Sequence, residues 1–285
     1  LRESSVLGVA LLAREGRLAP DTVESMYAGG VRLRGQALAE TLIRHSGRPE
    51  VGPWTLVRSV RTAVHPALRG RGLGRQLVEH VHRSLGPDVD AIGTLFGATA
   101  ELVRFRHAGG YLPVRLGSSR GGRTGEPSVV MLRPLSVQAR ETTSELRAIF
   151  ARDLPGGVAL AAAEGVPLEA DLLAQLRRDL PEPRPLEEGE IRRLVRAYAY
   201  RGGTHEVSAL ALRELVDADP AVLDALTPVE RRLIVSRVLR GQAWDDVADS
   251  AGLADARVAM RALRRAVRAF LETKERISAG DQSAT

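Results

Sequence analysis

The chain has 285 residues, a hydrophobic fraction of 44% and a formal charge of +6, which is long enough for two domains and typical of a soluble globular protein. It contains no cysteine, so disulfides and thiolate metal sites are excluded. No apolar run is long enough to span a membrane, no signal peptide is visible, and the six histidines are scattered without metal-ligand spacing. These absences predict a cytoplasmic protein with no metal and no membrane partner. Oligomeric state is not encoded in any pattern here. Lys274 is the only lysine, so the basic charge is arginine. A GC-rich genome produces the same bias, but a basic surface also favours polyanions such as nucleic acid.

Leu1 stands where a start methionine would, and a strand follows almost at once. This reads as the C-terminal part of a longer protein, although a processed or trimmed chain would look the same. Val6 to Ala13 predicts an apolar strand ended by Glu15-Gly16. Thr22 to Ala28 and Gly35 to Arg44 have helical spacing. Leu56 to Val64 predicts a strand closed by His65-Pro66, and Gln76 to Leu85 a helix. Ala91 to Phe96 is a short strand. Thr99 to Ala108 is a helix stopped by Gly109-Gly110. Tyr111 to Leu116 and Ser128 to Leu132 are strands, separated by a loop from Ser118 to Gly125. From Ser136 onward apolar spacing is helical throughout, punctuated at Leu154-Pro155-Gly156-Gly157 and at Pro181 to Pro185. The expected organisation is an α/β domain over 1–135, a helical domain over 136–277 and a disordered tail over 278–285.

Between the second strand and its helix lies Arg69-Gly70-Arg71-Gly72-Leu73-Gly74-Arg75. Glycines let a backbone approach phosphate, consecutive N–H groups point into the turn, and the helix dipole faces the anion. The pattern is R-x-x-G-x-G, neither the dinucleotide nor the nucleoside-triphosphate loop. Lys274 follows no glycine-rich loop, so a P-loop is absent. A surface turn rich in Gly and Arg would read the same in isolation.

In the helical part, Arg257, Arg261, Arg264, Arg265 and Arg268 share one helix face. Met260, Leu263, Val267, Phe270 and Leu271 share an adjoining one. Five like charges on one stripe repel one another, and a polyanion relieves that repulsion. The stripe is therefore the candidate RNA-binding surface. A solvated charged face is the plainer reading.

With these elements in place, the chain resembles the RNA cytidine acetyltransferases, whose catalytic domain is of the GNAT type. The resemblance rests on Val60-Arg61-Thr62-Ala63-Val64-His65-Pro66, Arg69 to Arg75, Leu95 to Phe105, Gly110 to Gly117, Gly125 to Ser128 and Met131 to Leu135. It also takes in Gly16 and Arg34-Gly35. It implies a GNAT domain, a mixed central sheet flanked by helices, followed by a mostly α-helical tRNA-binding tail. It implies acetyl-CoA held by the backbone of Thr62, Ala63 and Val64, by Arg69, Gly70, Arg71, Gly72, Leu73, Gly74 and Arg75, and by Glu101. ATP is expected only in an N-terminal module outside this sequence. Three departures stand out. Thr62 replaces an apolar β-branched residue, Gln36 replaces His or Asn, and Ala108 stands where a cofactor-contacting arginine is expected, with Arg106 two residues earlier as its candidate substitute.

The implied reaction is N4-acetylation of cytidine in RNA, by resemblance at the wobble cytidine of elongator tRNA-Met. The cytidine amine is a weak nucleophile because its lone pair is conjugated with the ring, so positioning and stabilisation of the carbonyl oxygen carry the reaction. Backbone N–H groups near Val64 are candidate donors. His65 and Glu101 are the nearest candidate bases, although His65 before Pro66 also suits a structural strand end. Two other functions remain open. One is acetylation of protein or small-molecule amines. The other is a non-enzymatic nucleic-acid-binding module, since Leu226 to Arg232, Trp244 to Ala248 and the arginine stripe have a helix-turn-helix look. The 257–271 helix offers Arg but no Asn or Gln to read bases, which suits phosphate contact.

Overall fold

The computed structural model describes residues 6–120 and 126–282. Five strands form one mixed sheet: β1 (Gly8–Gly16), β2 (Thr55–Val64), β3 (Ala91–Gly97), β4 (Leu112–Arg120) and β5 (Pro127–Pro134). Their order across the sheet is β1-β2-β3-β5-β4. Only β2 and β3 run parallel; the other neighbours are antiparallel.

Period-two patterning sorts the core onto two faces. Leu56, Val130 and Leu132 point to one face. There they meet α1 (Pro20–Tyr27) through Val23 and Met26, and α2 (Ala37–Glu40) with its π-helical continuation Thr41–His45 through Leu38, Leu42 and Ile43. Val57, Val129 and Met131 point to the other face. There they meet α3 (Leu73–Ser84) through Val78 and Val81, and α4 (Ala100–Ala108) through Val103. Gly93 sits where α2 presses closest on the sheet. A Cβ there would lie 2.7 Å from both Leu38 and Leu132 side-chain carbons, so no larger residue fits without moving the helix.

Beyond the sheet, α5 (Val137–Ala163) starts at Ser136, whose hydroxyl accepts from the Ala139 N–H at 3.1 Å. It lies along the edge strand β4. Ala139 and Leu146 join the first core, while Phe150 and Leu154 join the second, with α6 (Ala170–Arg177) beside them through Leu172 and Leu176. The expected break at Leu154 to Gly157 is absent. Pro155 sits inside α5 and removes the helical N–H that would serve the Ala151 carbonyl; Ala151 is only half-buried, and Pro155 and Gly156 are exposed. Leu154 before it, with Leu160 and Ala161 after it, holds the helix to its neighbours.

A separate core is assembled from α7 (Glu188–Tyr200), α8 (His205–Ala218), α9 (Pro228–Leu233) with its π-helical continuation Ile234–Leu239, α10 (Trp244–Ser250) and α11 (Ala256–Gln282). Thr227 and Glu230 form a reciprocal capping box at the start of α9. No strand occurs among the described residues after Pro134. Two expectations shift. β4 extends through Ser118 to Arg120, because β5 continues to pair with it as far as Arg120 and Pro127. The rest of that expected loop, 121–125, lies outside the described residues. The last helix reaches Gln282, into the stretch 278–285 expected to be disordered; 283–285 lie outside the described residues.

Candidate active site

The site begins where β2 and β3 part. They pair only at Leu56–Ala91, Val57–Ile92 and Arg58–Gly93. One further link, Thr94 Oγ1 donating to the Ser59 carbonyl at 3.2 Å, closes the crotch. Beyond it the strands continue to Val64 and Gly97 without any ladder pair between them. A bulge in β2, where Leu11 and Leu12 face Arg61 and Ser59, helps turn β2 away. The result is a wedge-shaped opening in the middle of a sheet. Facing backbone N–H and C=O groups on residues 60–64 and 95–97 lack a strand partner there, an arrangement suited to an extended amide-bearing ligand. Side-chain burial falls along the same stretch: Leu56 and Val57 are buried, Arg61 and Ala63 exposed.

The glycine turn stands at the mouth of that opening. Gly70 and Gly72 have φ of +76° and +80°, and added Cβ atoms would meet nothing within 4 Å. The conformation, not crowding, requires glycine. The expected turn divides: 69–72 form it, while Leu73, Gly74 and Arg75 are already the first turn of α3, which starts three residues earlier than the spacing suggests. Gly72 in the left-handed region swings the chain directly into the helix, so no separate entry residues are needed. No side chain caps this helix. The backbone N–H groups of Gly70 to Arg75 have no acceptor among the described residues; the first bonded donor is Gln76, to the Gly72 carbonyl at 3.1 Å. Consecutive free donors on the positive end of a helix hold an anion. Arg69, Arg71 and Arg75 are exposed around them.

Thr62, Ala63 and Val64 line the open edge of β2. Glu101 lies in the first turn of α4, exposed, one residue past the Ala98–Thr99–Ala100 corner that follows β3. His65 turns back on its own chain: its Nδ1 accepts from the Ala67 N–H at 3.3 Å and its N–H donates to the Leu7 carbonyl at 2.9 Å. Gln36 accepts from the Gly16 N–H at 2.7 Å. Ala108 is exposed at the end of α4.

Sequence reasoning missed the polar chain under the crotch. Arg106 donates from Nη2 to Ser59 Oγ at 3.3 Å, its guanidinium carbon lies 5.3 Å from the Tyr111 ring centre and 5.7 Å from that of Phe105, and Nη1 has no hydrogen-bond partner. Tyr111 meets His82 at 3.1 Å, and His82 meets Arg133. Burial, with Arg133 and Arg106 nearby, holds His82 down at about 4, hence neutral near pH 7. On the other face, the buried Glu15 carboxylate accepts from the Leu38 and Ala39 N–H groups at 2.7 and 3.1 Å and pairs with Arg58. This fastens α2 beside the last β2–β3 pair. A buried carboxylate at a helix start was the available signal, since Glu15 ends an apolar strand.

The arginine stripe on α11 divides in two. Arg257, Arg261 and Arg265 are exposed. Arg264 stacks 4.6 Å over Tyr198, donates to the Tyr198 carbonyl and reaches the Gly203 carbonyl at 2.9 Å. Arg268 stacks 5.2 Å over Tyr200 and donates to the Ala199 carbonyl. These two cap the C-terminus of α7, where the last carbonyls need donors. Met260, expected on the apolar face, is 41% exposed and lies among the outer arginines, because Ala259, Ala262, Leu263 and Ala266 fill the buried seam.

The model of the family described as GNAT acetyltransferase 2 matches residues 76–136, from α3 through β5. A tRNA(Met) cytidine acetyltransferase TmcA from Nitrosococcus halophilus is 34% identical over 92% of this chain and 36% of its own length. The same-named protein of Haloferax volcanii is 36% identical over 92% of this chain and 34% of its own length, and that of Haloarcula marismortui 34% identical over 92% and 34%. Over 92% of its length the chain is similar to these tRNA(Met) cytidine acetyltransferases. It spans about a third of the length of these relatives. The α/β half is a GNAT acetyltransferase domain, and the helical half is part of the sequence shared with these relatives, since the match runs well past the sheet. Among the described residues no helix is long and apolar enough to cross a membrane, and no group of His, Asp and Glu could hold a metal ion.

Proposed function

We propose that this chain binds acetyl-CoA and transfers its acetyl group to N4 of cytidine in RNA, with tRNA as the substrate class and the wobble cytidine of elongator tRNA-Met as the target. The observation that carries the reading is the parted β2–β3 pair with six unbonded N–H groups at its mouth. The pyrophosphate fits the Gly70 to Arg75 donors and the surrounding arginines. The amide-bearing arm fits the unpaired edge at Thr62, Ala63 and Val64, which can bond it as a strand would.

Acetyl-CoA supplies an activated thioester carbonyl. The residues around the wedge hold it still while the cytidine amine attacks, a C–N bond forms, the C–S bond breaks and the amine proton leaves to solvent or the departing sulfur. Backbone N–H groups near Val64, on the β2 edge without a β3 partner, are the proposed donors that stabilise the carbonyl oxygen as it gains charge. His65 accepts from the Ala67 N–H of its own turn through Nδ1 alone, and the proposed proton path needs no side-chain base. Arg106, with an unbonded Nη1 beside the crotch, is the cation available in place of the expected arginine at 108. The outer face of α11, Arg257, Arg261 and Arg265, is proposed to contact RNA phosphate. ATP use belongs, on this reading, to a further module that remodels the RNA; extruding a stacked base costs on the order of a few kcal/mol.

The test is incubation of the chain with labelled acetyl-CoA and either folded tRNA or a short single-stranded RNA, followed by digestion and mass spectrometry. The expected product is acetylcytidine, formed on the single strand more readily than on folded tRNA. Label in protein and never in RNA would favour acetylation of protein amines instead.

A further inference from the structure

A second cavity, of about 390 Å³, lies away from the wedge, between the edge strand β4, helix α5 and the helical bundle. Its size is that of small-molecule pockets. Leu146, Phe150, Leu154, Leu210 and Val238 make an apolar wall, while arginines outnumber carboxylates in the lining by seven to three. Arg237 is the informative one. Its side chain is fully buried at 0% exposure. Nη1 donates to Glu164 at 2.7 Å and to the Gln242 carbonyl, and the guanidinium lies 4.4 Å over the Trp244 ring. Nε and Nη2 have no hydrogen-bond partner. Those two nitrogens form the side edge of the guanidinium, whose parallel N–H groups match the two oxygens of a carboxylate or phosphate. Glu206 also lines the cavity and influences Arg237 and Arg115 electrostatically, but accepts nothing from that edge. His205, fully buried in the same lining, has no partner on either ring nitrogen. Leaving so many buried donors unmet costs stability, and a ligand that meets them recovers it.

We propose that this cavity binds a small organic anion, an apolar or aromatic body ending in a carboxylate or a phosphate, with the oxyanion on the Nε/Nη2 edge of Arg237. The body would lie against Leu146, Phe150 and Leu210, joining the acetyltransferase sheet to the helical bundle. This does not depend on the reaction proposed above.

The test is calorimetry on the full chain with benzoate and with phenyl phosphate as probes, and benzyl alcohol as the neutral control. At least one anion should bind, at least tenfold more tightly than the alcohol; which one identifies the headgroup. Arg237→Met, and independently Leu210→Trp, which fills the cavity from its wall, should each weaken binding at least tenfold. Gly72→Glu, at the other site, should leave it unchanged. Should Arg237→Met not fold, Leu210→Trp and a crystal structure with the probe decide the matter. Failure of both anions to bind, binding indifferent to Leu210→Trp, or a probe seated away from Arg237 would each overturn the proposal.

Discussion

Gly72 does most to make the candidate cofactor site. It holds a left-handed φ of +80° with open space around its Cα, so it sets the direction of α3, whose entry leaves six N–H groups without an acceptor among the described residues. Replacing it with alanine strains the backbone by roughly 1 kcal/mol. Glutamate adds a negative charge where phosphate sits. Gly72→Glu is expected to keep the circular dichroism of the wild type and to lose acetyl-CoA affinity at least tenfold in calorimetry. Undiminished affinity would move the pyrophosphate elsewhere. The glycine turn is legible in sequence because left-handed positions favour glycine. Arg106, Ser59 and Tyr111 are not legible as a group, since residues from three elements meet only after the sheet and α4 have packed.

Among the elements, α11 shows what helical periodicity can and cannot tell. Spacing alone places five arginines on one face, and they are there. What it does not reveal is the neighbour opposite. The C-terminus of α7 offers carbonyls at Tyr198, Ala199 and, just beyond, Gly203, with two tyrosine rings beside them, and Arg264 and Arg268 are drawn to these. The stripe therefore predicts two separable phenotypes. Arg264→Ala should lower stability by about 1–3 kcal/mol, since it orphans buried carbonyls, with little effect on the salt dependence of RNA binding. The triple replacement of Arg257, Arg261 and Arg265 by alanine should leave stability nearly unchanged. It should also reduce the slope of log affinity against log salt by about 2 to 3, close to one for each phosphate that is no longer neutralised. Equal slopes for the triple variant and the wild type would remove this face from the RNA interface. The parting of β2 and β3 is likewise hidden from either strand alone. A parallel ladder that stops early leaves each strand's own alternation intact, and only the register between them reveals the opening.

Across the whole molecule, the sheet half and the helical half are tied by polar contacts as well as by packing. Arg152 reaches Glu190 at 3.2 Å, Arg237 reaches Glu164, and the Glu164 carboxylate also accepts from the Trp244 N–H at 3.3 Å. Neutral histidines lie on both sides of this junction. Burial, with nearby arginines, holds His45 and His82 down at about 4, and burial with Arg237 holds His205 down at about 3. Unfolded histidines take up protons near 6.5. Below that pH the unfolded chain binds more protons than the folded one, so stability is full above about 6.5 and falls as pH drops toward 4. Urea midpoints should decline across this window, before most carboxylates titrate. His82→Gln should flatten the decline, whereas a flat profile in the wild type would mean that these histidines protonate freely in the fold.

The β2–β3 wedge and the Gly70 to Arg75 donors together make the acetyl-CoA site proposed for this chain, and a crystal structure of the chain with acetyl-CoA tests that most directly. Pyrophosphate oxygens are expected within hydrogen-bond reach of the backbone N–H groups between Gly70 and Arg75, and the amide-bearing arm bonded to the β2 edge at Thr62 to Val64. A cofactor bound with its pyrophosphate away from that turn, or lying outside the wedge, would contradict it.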